Sequence, residues 1–148
     1  MEKLNKKYDN TVKALRTLEE IITDYKINQK QINILAPTEF ERQKFLKYMR
    51  DSLIQRFEYT FDCFWKYINF YLDQETGIKI DVPTPKRIFR ELFRLNLISE
   101  NQINLALQMV DHRNLTSHTY HEPLAKEISE KIPDYFEFIK DILNKINC

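Results

Sequence analysis

The chain has 148 residues, 43% hydrophobic and 13% aromatic, which suits one folded domain spanning 1–148 and argues against disorder. A single glycine, Gly77, and five prolines leave too few turn formers for an all-β fold. The net charge of +1, from 23 basic and 22 acidic residues, excludes a global basic field for nucleic acid and confines any such site to a local patch.

The N-terminal MEKLNKKYDN has charges but no apolar stretch, so no secretory signal is expected. No apolar run approaches the ~20 residues of a membrane span. Cys63 and Cys148, far apart in sequence, fit reduced thiols in a cytoplasmic protein.

Leu4, Tyr8, Leu15, Leu18, Ile22 and Tyr25 recur in steps of three, four or seven. That spacing predicts an amphipathic helix over roughly the first twenty-five to thirty residues. After Pro37, Thr38 and Glu41 form a T-x-x-E capping box. The helix it starts is expected to run to about Asp73, with Gly77 near the stop. Met49, Leu53, Phe57, Phe61, Phe64, Ile68 and Tyr71 mark its core face, and Tyr59, Trp65, Tyr67 and Phe70 extend around the cylinder. A helix apolar on more than one side is covered on more than one side, as the centre of a bundle or as a self-association surface.

IKIDVP at 78–83 alternates like a strand but has no evident partner, and it is read as loop. Thr84 and Pro85 start a short helix with Ile88, Phe89, Leu92 and Phe93 on its sticky side. Ser99 and Gln102 form a further capping box, followed by Ile103, Ala106, Leu107 and Val110. Glu122-Pro123 starts the last helix, which continues through Leu124, Ile128, Tyr135, Ile139, Ile142 and Ile146; Pro133 is expected to kink or interrupt it. The expected fold is an all-α, up-and-down antiparallel bundle of four long helices and one short one.

All three histidines, His112, His118 and His121, fall within DHRNLTSHTYHE at 111–122. On a regular helix Arg113 and His118 would point roughly 140° apart. Two arrangements bring them together: the helix ends near Ser117, or two copies of the chain share one site across a two-fold axis. Asn114, Thr116, Ser117 and Thr119 weaken helix propensity and favour an ending there.

Imidazole gives and takes protons near neutral pH, and guanidinium binds phosphate oxygens through a fork of donors. Together they suit metal-free cleavage of an RNA phosphodiester. One base takes the 2′-hydroxyl proton, one acid protonates the leaving oxygen and the cation stabilises the phosphorane. The plain alternative is a solvated or carbonyl-capping cluster at a helix end. His118 and His121 are three apart, but the usual structural zinc pattern is missing, so neither metal nor cofactor is expected. Neither a Gly-rich phosphate loop nor a G-x-S-x-G elbow occurs.

Arg113-Asn114-Leu115-Thr116-Ser117-His118-Thr119-Tyr120 resembles the R-x4-H-x-Y motif of HEPN domains. RDSLIQRFEYTFDCFWKYI at 50–68 and PKRIFRELFRLNLI at 85–98 resemble the nucleotidyltransferase substrate-binding branch of that group. The resemblance implies a helical bundle that forms a homodimer and works with a separately encoded minimal nucleotidyltransferase. In toxin–antitoxin members of the group the HEPN subunit is a metal-independent ribonuclease, silenced when its partner transfers AMP to the motif tyrosine. By position, Arg113 and His118 would be catalytic and Tyr120 the modification acceptor, with RNA as substrate. The older description of the branch is a noncatalytic subunit that binds substrate or nucleotide.

Asn114, His112 and His121 are supporting candidates, although the motif demands neither of those two histidines. Arg56, Glu58 and Asp62 are further candidates. Glu58 and Asp62, four apart, share a helix face from which they would orient Arg113 or His118; an exposed flank or a partner-facing salt bridge is the alternative.

Overall fold

The computed structural model describes residues 2–118 and 121–146. Six α-helices run in the order α1 (Glu2–Lys30), α2 (Ile32–Leu35), α3 (Glu39–Tyr71), α4 (Pro85–Arg94), α5 (Glu100–Leu115) and α6 (Glu122–Lys145). The described residues contain no strand, and residues 78–83 form a loop, as expected.

The helix starts follow local chemistry. Thr38 Oγ1 accepts the Glu41 N–H at 3.1 Å, and Thr84 Oγ1 accepts that of Arg87 at 3.3 Å. At α5 the box is reciprocal: the Gln102 N–H donates to Ser99 Oγ at 3.2 Å, and the Ser99 N–H to Gln102 Oε1 at 2.9 Å. After Tyr71 the chain loosens into a π-helical turn, Leu72–Thr76, which Gly77 ends at φ 73°. That left-handed conformation strains any residue carrying a Cβ.

Cross-contacts set the helix directions. Tyr8 meets Tyr67, and Lys3 and Lys7 lie over Phe70, while Asn28 reaches Met49, so α1 and α3 are antiparallel. Arg50 pairs with Glu122, Phe57 stacks on Tyr135 and Tyr67 donates to the Ile146 carbonyl, so α3 and α6 are parallel. Lys145 reaches the Leu97 carbonyl while His112 meets Tyr135, so α5 and α6 are antiparallel. The four long helices therefore alternate up and down. The parallel pair α3 and α6 also pack directly, and α3 approaches α6 more closely than it approaches α5.

α4 closes the core. Phe89 lies 5.9 Å from Phe64 and 6.1 Å from Phe138 between ring centroids, and it meets Phe61 edge-on. Ile88, Phe89 and Leu92 are fully buried, but Phe93, expected on the same side, is 42% exposed. Four residues after Phe89, it has turned roughly 40° past that ring and out of the aromatic cluster. Two further expectations change. α2 is an extra turn of helix, and α6 is unbroken across Pro133. Ile132, Tyr135, Phe136, Phe138 and Ile139 are buried around the proline, so packing holds the helix together where one backbone N–H is lacking.

Candidate functional site

The α-helix of α5 ends at Leu115 and tightens into a 3-10 turn, Thr116–His118, whose last carbonyl accepts the His121 N–H at 3.1 Å. This is close to the ending that the polar run predicts. Arg113 lies in the last turn of α5 and points at α3. Its Nε and Nη2 donate to Asp62 Oδ1 and Oδ2 at 3.2 and 3.1 Å, a bidentate fork. Its Nη1 donates to Glu58 Oε2 and to Thr116 Oγ1, both at 3.0 Å.

Glu58 and Asp62 thus meet Arg113 together, one helical turn apart on α3. The hydrogen bond to Asp62 is the main cause that raises the pKa of the guanidinium further; burial opposes it, and the charges of Asp62 and Glu58 add to it. One cation faces two carboxylates, so its charge is more than balanced locally. Thr116 is buried, and its hydroxyl lies 3.0 Å from Glu58 Oε2 and 2.8 Å from the Arg113 carbonyl, able to donate to either. Sequence reasoning missed Thr116 as a member of this cluster. Its position three residues after Arg113 was the available signal.

The remaining candidates separate. His118 is exposed at the end of the 3-10 turn, Asn114 is exposed on α5, and His121 is exposed where α6 begins. His112 turns the other way, into the core, where its Nδ1 lies 2.5 Å from the Tyr135 hydroxyl. Arg56 is not with Arg113. It lines a surface pocket of about 150 Å³ between α1 and α3, together with Asn10, Lys13, Ala14, Thr17 and Tyr59. Two residues on a helix turn by roughly 200°, so Arg56 and Glu58 face nearly opposite ways. Tyr120, the expected modification acceptor, lies outside the described residues.

Residues 6–148 match the family model described as nucleotidyltransferase substrate binding protein like. The chain is also similar to a protein of Thermus thermophilus whose crystal structure is known. The two share 36% identity and superpose with a TM-score of 0.71, over 93% of this chain and 99% of the other. No curated protein matches the chain.

Proposed function

Because the chain belongs to the nucleotidyltransferase substrate binding protein like family, we propose that it is the HEPN subunit of a two-component system whose other member is a separately encoded minimal nucleotidyltransferase. In this reading it acts as a homodimeric, metal-independent ribonuclease. The two copies of His118 serve as proton donor and acceptor, and Arg113 stabilises the charge that develops on the phosphorane. The partner silences the site by transferring AMP to Tyr120. The added negative charge and bulk then exclude the RNA backbone.

The observation that carries this reading is the anchoring of Arg113. Its fork on Asp62 and its bonds to Glu58 and Thr116 hold one cation steady just before the turn that exposes His118. A cation positioned in advance needs no reorganisation when charge appears.

A second reading draws on the same contacts. Two carboxylates already balance the guanidinium, which favours a noncatalytic subunit that binds substrate or nucleotide and presents it to the nucleotidyltransferase. Expression and mass measurement separate the two. For the ribonuclease, the wild-type chain alone arrests growth, His118→Ala does not, and coexpression with the nucleotidyltransferase adds an adenylate to Tyr120. Harmless expression of both forms, with RNA left intact by the purified protein, selects the noncatalytic subunit.

A further inference from the structure

The start of α3 differs from the rest of that helix. No residue from Glu39 to Ser52 is buried, and Phe40 and Tyr48 are 74% and 58% exposed. Phe40, Lys44, Lys47 and Tyr48 follow at i, i+4, i+7 and i+8, so they share one face along about 12 Å of helix. With Gln43 and Glu122 they line an open groove of about 490 Å³. Lys44 Nζ lies 5.6 Å from the centre of the Phe40 ring. The acidic residue of the groove, Glu122, is bound by Arg50 at 2.6 Å, which offsets its charge. Glu122 opens α6 only four residues after His118.

We propose that this face of α3 is the track that holds single-stranded RNA on its way to His118. The proposal rests on the ribonuclease reading and names where its substrate lies. Ammonium groups neutralise backbone phosphates, and exposed rings stack on bases whatever the sequence. Two lysines set between two rings suit RNA better than a protein partner, because lysine is depleted from the centres of protein interfaces.

The other end of α3 supplies an internal control. Lys3 and Lys7 lie over Phe70 there, the same chemistry at the end remote from Glu122. Binding of a short fluorescein-labelled oligouridylate, followed by anisotropy across a salt series, tests the proposal. All variants carry His118→Ala, so the probe stays intact. Lys44→Ala with Lys47→Ala should weaken binding about tenfold and lower the salt slope by about 1.4. Phe40→Ala with Tyr48→Ala should weaken binding at every salt concentration without changing the slope. Lys3→Ala with Lys7→Ala, the same change in charge, should leave affinity unchanged.

Melting followed by circular dichroism checks that these exposed substitutions leave the fold intact. Equal losses from both lysine pairs would reduce the effect to general charge and overturn the proposal. Unchanged binding in the groove variants would overturn it too, even if the wild-type chain cleaves RNA. Loss of nucleotidyltransferase binding with RNA affinity intact would assign the face to that protein instead. Groove-dependent binding without cleavage by the His118 protein would support the track and refute the ribonuclease.

Discussion

His112 shows how a histidine of the motif region is used by the core. Burial lowers its pKa and outweighs the pull of Glu127 and Asp111, which raise it; Lys131 adds to the lowering. The Glu127 carboxylate is 4.0 Å from Nε2 and itself exposed, so solvent weakens that pair. Burial also pushes the Tyr135 phenol above its ordinary range, so the hydroxyl keeps its hydrogen and shares one hydrogen bond with Nδ1, whose direction follows the ring's tautomer. The folded pKa of His112 lies below the unfolded value of about 6.5, so the unfolded chain binds more protons between the two. Stability from this group is complete above about pH 6.5 and is lost as the pH falls toward the folded value. Urea denaturation between about pH 7 and about pH 5 should show that loss. His112→Gln, which cannot titrate, should flatten it.

Among the helices, the caps were legible because each joins residues within one turn. Ser99→Ala and Thr84→Ala each remove one side-chain acceptor, while the backbone N–H at position 99 keeps its bond to Gln102. Thermal or urea unfolding should show a cost of about 1 kcal/mol for each. α2 escaped sequence reading because four residues carry no helical period. Continuity through Pro133 escaped it because the support comes from packing on both sides of the ring, not from the backbone. Arg56 shows the reverse failure. Its nearness to Glu58 in sequence suggested a shared site, while helix rotation sends it toward α1.

At the scale of the molecule, the core depends on α4 closing the space beside α3 and α6. Phe89 is fully buried among Phe61, Phe64 and Phe138. Phe89→Ala should cost about 3–5 kcal/mol, a large share of the 5–15 kcal/mol typical of a domain. Urea unfolding of the variant would measure it, and a loss below about 1 kcal/mol would mean that the aromatic cluster repacks around the gap. The starts of α3, α4 and α5, their caps, the bundle class and the R-x4-H-x-Y spacing were determined by the sequence itself, since these signals lie in residues a few positions apart. The sequence offered Glu58 and Asp62 as partners of Arg113 or His118 only alongside the alternative of an exposed flank, because they stand 55 and 51 residues from Arg113 on another helix. Only packing brought the end of α5 within side-chain reach of α3, turned Arg113 toward Asp62 and Glu58, and sent His112 to Tyr135. Rotation about a helix axis is set by which faces are buried, and that is a property of the assembled bundle.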